Sequence, residues 1–347
     1  MTDRNTDPIK RRVQLAGGAT FTLSLPRDWA VDHDIEKGEE IYLYRENDRL
    51  VVAPSTIDEH VRTTRIDATD TSAVALEKHL KGAYVEGYEE VMVSAEGGVS
   101  DEFRRATAET VNALIGMEIA ESTTDEIVVH DQLDAGAISL EQSIVQIRQL
   151  ALGMLDDAVE AVRMNDEMLA RHVAERDDHV DRLFAFVARG LHCGLNDVNQ
   201  LARFDIDRKA ALYYYKIAQQ LEAVADVAER LAGVTEVQST RPEETVGEEF
   251  TELVGLARET VELGLNDDSE TAIDTYDELC DRMDALERDL ARREHPDAYW
   301  YSTVVECIRQ TAGAGVKILN LTVETSVNDM LYSGRDVPSG PRRYSGR

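Results

Sequence analysis

Four carboxylates stand in two pairs, Asp177 with Asp181 and Glu222 with Asp226, each pair four residues apart. On a helix, side chains at i and i+4 share a face, so each pair can turn two carboxylates toward one ion. Two such pairs on neighbouring helices supply oxygen and nothing else. That donor set suits magnesium, calcium, manganese or iron over copper or zinc. The two pairs differ in setting. By helical angle Asp177 borders the apolar stripe through Val180 and Phe184, where a carboxylate needs a cation, a hydrogen bond or water. Glu222 and Asp226 lie opposite Leu221, Val224 and Ala228, facing outward. In a chain this acidic, the same spacing also arises as ordinary hydrated surface.

A second cluster is basic. Lys10, Arg11 and Arg12 precede the first strand-like segment and Arg27 follows Pro26. Doubled in a dimer, these residues would form a face suited to phosphate contacts, with arginine able to reach base edges. Other chemistry is thin. His192-Cys193 has no identifiable orienting partner or oxyanion donors. Gly17-Gly18 is not followed by Gly-Lys-Ser/Thr, so it is no P-loop. Neither a nucleophile motif nor a cofactor fingerprint is present, and no catalytic residue is expected.

The chain that must position these groups has 347 residues, 68 of them Asp or Glu and 37 Lys or Arg, for a formal charge of −31. Only seven of the basic residues are lysine. At 43% apolar residues the chain can fold. An acid-rich, lysine-poor surface on such a core fits a halophilic protein, whose self-repulsion is screened by salt. The first 54 residues are the least acidic part, with 8 basic and 10 acidic residues. Three isolated cysteines form neither a disulfide framework nor a zinc pattern. No apolar run approaches a membrane span, and the N-terminus has no apolar segment of signal-peptide type, so a soluble cytoplasmic protein is expected.

Prolines mark the organisation. Residues 55–241 contain none, which permits long helices. Residues 1–54 read as strands: Thr20–Leu25 alternates before Pro26, Asp28 can cap a turn over Trp29 to His33, and 41–44 and 50–52 flank an Asn47-Asp48 turn. This stretch is too small to bury a core alone, so pairing with a second copy is expected. Residues 55–133 alternate strands (62–66, 90–94, 117–120, 126–130) with helices (72–80, 102–114), a small α/β domain. From residue 134 the period is helical. Leu140, Ile144, Ile147, Ala151, Met154 and Ala158 step by three and four, and the runs Val173–Leu191 and Ile217–Leu231 do likewise. A polar stretch, Ser239–Glu244, precedes three more helical runs near 246–265, 267–294 and 298–330, with a boundary at His295-Pro296. Three helices, a break and three helices suggest a duplication. Residues 333–347 form a Gly/Ser/Pro-rich, basic, flexible tail.

Two resemblances bear on these parts. Arg12-Val13-Gln14, Gly17-Gly18, Thr20, Thr22, Ser24-Leu25-Pro26-Arg27-Asp28-Trp29-Ala30 and Gly38-Glu39-Glu40 resemble an AbrB-type (SpoVT-AbrB) swapped-hairpin domain. That resemblance covers residues 1–54. It implies an intertwined homodimer that binds duplex DNA, with Lys10, Arg11, Arg12 and Arg27 as the DNA-contacting residues. Tyr213-Tyr214-Tyr215 leading into Ala218–Ala228, with Asp177-Asp178-His179-Val180-Asp181-Arg182-Leu183, resembles the third and second helices of a PhoU repeat. That resemblance covers roughly 134–330 and is to archaeal PhoU-like phosphate uptake regulators.

The second resemblance implies two three-helix repeats, 134–238 and 246–330, within a helical domain 134–332. It also implies a divalent or iron-type metal held by Asp177, Asp181, Glu222 and Asp226. The second repeat departs from the pattern: Cys280 stands where Asp177 does, and Arg309 and Gly313 stand at the Glu222 and Asp226 positions. One metal site per chain is the expectation. The fold class expected is therefore multidomain and mainly α, a swapped-hairpin β head, a small α/β domain and a pair of three-helix bundles. The function implied is a non-enzymatic cytoplasmic regulator of phosphate uptake coupling a DNA-binding dimer to a helical sensor. The alternative is an adaptor that acts on a partner such as the ATPase of a phosphate ABC transporter, its head serving only to dimerise.

Overall fold

Serine and aspartate open most of the helices. Ser72, Ser100, Ser139, Asp207 and Asp268 each turn a side-chain oxygen onto an unpaired backbone N–H of the first turn. The structure is a computed structural model that describes residues 9–17, 20–46, 49–54, 61–132, 139–196, 206–292 and 296–333. The Asn47-Asp48 turn, His295 and the tail from 334 onward lie outside the described residues. The chain divides into two units, Met1–His60 and Val61–Arg347.

The first unit contains two antiparallel hairpins, β1 (Gln14–Ala16) with β2 (Thr20–Thr22) and β3 (Tyr42–Glu46) with β4 (Arg49–Ala53), and one short helix, α1 (Arg27–Asp32). The strand expected over Thr20–Leu25 pairs only through Thr22, because Leu23–Leu25 meet no further strand among the described residues. Asp28 is not the cap of α1: the helix starts at Arg27, with the extended Pro26 at the N-cap position and Asp28 inside the first turn. Almost nothing here is buried. Phe21 is 75% exposed and Leu15 59%, and Val13, Leu23, Val31, Leu43 and Leu50 are exposed as well.

The second unit holds two cores. In the first, β5 (Thr63–Asp67), β6 (Glu90–Ser94), β7 (Met117–Ser122) and β8 (Glu126–Asp131) form one sheet in the order β5-β6-β8-β7, parallel at β5/β6 and antiparallel elsewhere. Two helices, α2 (Ala73–Val85) and α3 (Asp101–Asn112), cover it, and Leu76, Leu80, Tyr84, Val91, Val93, Ile127 and Val129 fill the space between. Alternation of buried and half-buried residues along β6 and β8 follows the period of two that a sheet covered on one face requires.

The other core is a helical bundle: α4 (Leu140–Met164), α5 (Glu167–Asn196), α6 (Arg208–Ala232), α7 (Glu244–Leu265), α8 (Ser269–Leu290) and α9 (Ala298–Ser333). The fold is thus mainly α with small β elements, as expected. Helices α4–α6 pack on one another, α7–α9 do the same, and α4/α7 and α6/α9 join the two sets through one continuous apolar cluster. The α7/α9 crossing is close: a Cβ added at Gly264 would lie 2.6 Å from the Gly315 carbonyl oxygen, and one at Gly315 would lie 2.8 Å from the Thr260 backbone. Buried Asp297, 2% exposed, accepts from the Ser239 N–H at 3.0 Å and the Ser239 hydroxyl at 3.1 Å, pinning the polar linker between the two sets.

The α/β layer is tied to α5 by Arg189. Its guanidinium is buried, 2.5 Å from Asp131 Oδ2 at the end of β8, and donates to the carbonyl oxygens of Tyr84 and Tyr88. It also lies 4.8 Å from the Tyr84 ring centroid. A charge so far from water is tolerable only with this complete set of partners.

Candidate functional site: carboxylates between two helices

Helix α5 starts after a sharp turn. Asn165 adopts a left-handed conformation at the end of α4, and Asp166 accepts from the N–H groups of Met168 and Leu169. The packing of Val173, Val180 and Val187 inward fixes the rotation of α5, as Leu221, Val224 and Ala228 do for α6. With both rotations fixed, Asp177 and Asp181 on α5 face Glu222 and Asp226 on α6. Asp181 and Asp226 are exposed, and Asp177 and Glu222 are half-buried. Glu222 is half-buried and lies within the field of Asp177 and Asp181 on α5.

None of the four carboxylates accepts a hydrogen bond or joins an ion pair among the described residues, and Asp177 Oδ1 is a buried oxygen without a partner. The electrostatic consequence is large. Burial first, then repulsion from Asp181, Glu229, Asp226 and Asp178, raises the Asp177 carboxyl to about 7. Burial, then Asp226, Asp181 and Asp177, raises Glu222 to about 7. Asp181 and Asp226 are raised mainly by burial, against the pull of Lys81 on the first and Arg230 on the second. Glu229, which the pairwise spacing leaves out, belongs to the same field and is raised too. Its signal was available: Glu222, Asp226 and Glu229 stand at i, i+4 and i+7 on one stripe.

An all-oxygen set with an orphaned buried oxygen has the chemistry of a hard-cation site. Among the described residues, however, no three His, Cys, Asp or Glu side chains converge closely enough to hold one ion as they stand. Binding therefore requires side-chain rotation about χ1 and χ2, which the exposed Asp181 and Asp226 can make freely.

The corresponding place in the second set is filled from within. Arg309 on α9 points its guanidinium at three acids: Nη2 is 3.2 Å from Glu287 and 3.7 Å from Asp284, and Nε is 3.8 Å from Glu306. Gly313 contributes no ligand, and the Cys280 thiol lies beside Tyr276, whose hydroxyl pKa it raises. His192 Nδ1 sits 3.3 Å from Glu86, and the Cys193 thiol is pushed up by burial, so that pair serves the joint between α5 and the α/β layer.

In the first unit, Lys10, Arg11 and Arg12 lie exposed in the extended segment before β1, and exposed Arg27 is the first residue of α1. Among the described residues their one hydrogen bond is local, Arg11 Nη1 donating to the Lys10 carbonyl at 3.2 Å. Among the described residues no helix is long and apolar enough to cross a membrane.

Residues 144–235 match the PhoU domain family, from within α4 to the 3-10 turn after α6. The crystal structure of the phosphate transport system regulatory protein PhoU from Streptococcus pneumoniae aligns with a TM-score of 0.44 at 16% identity. The alignment covers 55% of this chain and 94% of that one. No curated protein gives a significant match.

Proposed function

We propose that the chain is a cytoplasmic, non-enzymatic regulator of phosphate uptake that acts by contact with a protein of the transport machinery, such as the ATPase subunit of a phosphate ABC transporter. A divalent or iron-type cation on Asp177, Asp181, Glu222 and Asp226 sets the spacing of α5 and α6, and with it the surface offered to that partner. The observation that carries the reading is a coincidence of position: the PhoU family match falls on α4–α6, the three-helix set whose α5 and α6 carry the four carboxylates. The N-terminal unit is a dimeriser, an AbrB-like hairpin head that covers Phe21, Leu15 and Leu43 against a second copy. Their exposure in the single chain is what supports this.

A second reading keeps DNA as the partner. The exposed basic run of Lys10, Arg11 and Arg12, with Arg27, favours it, since these are the charges a duplex would meet first. One binding experiment at high salt separates the two, with the purified full-length chain offered either the transporter ATPase or promoter duplexes. The favoured reading expects saturable ATPase binding and no duplex binding that depends on Arg11, Arg12 and Arg27. Duplex binding lost in the triple alanine variant, with no ATPase binding, reverses the order.

A further inference from the structure

The seam between α6 and α9 carries a different surface from the acidic remainder. The helices run antiparallel, with the Tyr213 hydroxyl 3.4 Å from Thr322 Oγ1 near one end and Arg230 donating to Cys307 Sγ and Gln310 at the other. Two depressions open along this seam, one at the Tyr213 end and one at the Arg230 end. One, of about 680 Å³, is lined by residues that include Lys209, Leu212, Tyr214, Lys216 and Leu321. The next, of about 380 Å³, is lined by residues that include Gln220, Ala223, Arg230, Gly313, Ala314 and Lys317.

Three of the seven lysines in the chain therefore line one seam, in a molecule of net charge −31. Lys216 and Lys317 make no ion pair or hydrogen bond among the described residues. Three acids border the seam: Asp207, which accepts from the Ala210 N–H as the cap of α6, Glu324 and Asp226. Apolar surface alternates with the cations: Leu212 is 44% exposed, and Leu321 and Ala223 are half-exposed. At Gly313 an added Cβ would meet nothing within 4 Å, so the floor is open there.

We propose that the α6/α9 groove docks an acidic amphipathic helix of the protein partner. The proposal rests on the reading that the chain acts through a protein. Lys216, Gln220, Ala223, Val227 and Arg230 advance by four, three, four and three, one helical stripe that spans ~21 Å at 1.5 Å per residue. A small phosphorylated ligand needs donors that converge, whereas these cations are spread along the groove with apolar surface between them. A helix with acids on its flanks and small or apolar residues along its centre meets both the charges and the floor.

The test uses the full-length chain and the purified transporter ATPase. Gly313→Trp fills the floor where space is open, and Lys216→Glu with Lys317→Glu reverses the charge; both variants should retain wild-type circular dichroism. Each should weaken ATPase binding by about tenfold or more. A photo-crosslinker at Ala223, but not at exposed Ile273 on α8, should capture an acidic helical segment of the ATPase. Unchanged affinity in both variants overturns the groove and leaves the proposed function standing. If the wild-type chain binds no ATPase, the proposed function falls, and a synthetic acidic amphipathic peptide then judges the groove. Peptide binding abolished by Lys216→Glu with Lys317→Glu supports it, and absence of peptide binding to the wild-type chain overturns it.

Discussion

Arg309 lies 3.2 Å from Glu287, while Glu222, which holds the matching position in the first three helices, has no cation beside it. The two halves of the bundle solve the same problem in different ways. Where α8 and α9 bring acids together, a side chain supplies the positive charge. Where α5 and α6 do so, the charge must come from solution, from protons or from a metal ion.

Removing the internal cation should therefore cost stability. Arg309→Ala leaves Glu287, Asp284 and Glu306 facing one another on a partly exposed surface, so a loss of about 1 kcal/mol is expected rather than the larger cost of a buried pair. Urea unfolding at low and high salt checks it: the loss should shrink as salt screens the acids.

The first half should respond to pH with the opposite sense to an ordinary paired carboxylate. Asp177 and Glu222 are raised from 3.8 and 4.5 to about 7 in the folded chain. Between those limits the folded state binds more protons than the unfolded one, so metal-free stability falls as pH rises. With a chelator present, wild type should lose stability between pH 5 and 8 relative to the Asp177→Asn, Glu222→Gln double variant. Parallel curves for the two proteins would remove the raised pKa values from the account.

Arg189 makes a sharper case. Truncation to Ala leaves Asp131 in a site built for an ion pair, with the Tyr84 and Tyr88 carbonyls also losing their donor. A loss on the order of 3–5 kcal/mol is expected. Hydrogen exchange should show it first in β8 and α2, the elements that Arg189 holds against α5.

The head should assemble through its exposed apolar residues. In the full-length chain, Phe21→Ser with Leu15→Ser should convert a dimer to a monomer by light scattering while the helical signal persists. A monomeric wild-type chain would contradict the dimeriser role.

Much of this was legible from local pattern. Runs such as Leu140–Ala158 and Ile217–Leu231 carry the three-and-four step that a buried helix face demands, and Glu90–Ser94 emerged as a strand with its bounds intact. The carboxylate pairs were visible because i, i+4 spacing is a property of one helix. The rest depends on contacts between distant segments. Arg189 reaches back to Asp131, Arg309 to Glu287 on the preceding helix, and Glu222 meets the field of Asp177 and Asp181 on α5. No period in the sequence encodes those meetings, since they follow from how the helices cross. In the N-terminal unit, alternation overstated β2 because a strand also needs a neighbour, and Leu23–Leu25 have none among the described residues.

Asp177, Asp181, Glu222 and Asp226 are proposed to bind one cation together. Elemental analysis of protein purified without chelator tests it most directly. Wild type should carry metal that the Asp181→Asn, Asp226→Asn double variant lacks, and Asp284→Asn in the arginine-filled second half should leave the content unchanged. Equal metal in wild type and the double variant would contradict the claim, leaving the four carboxylates as solvated surface.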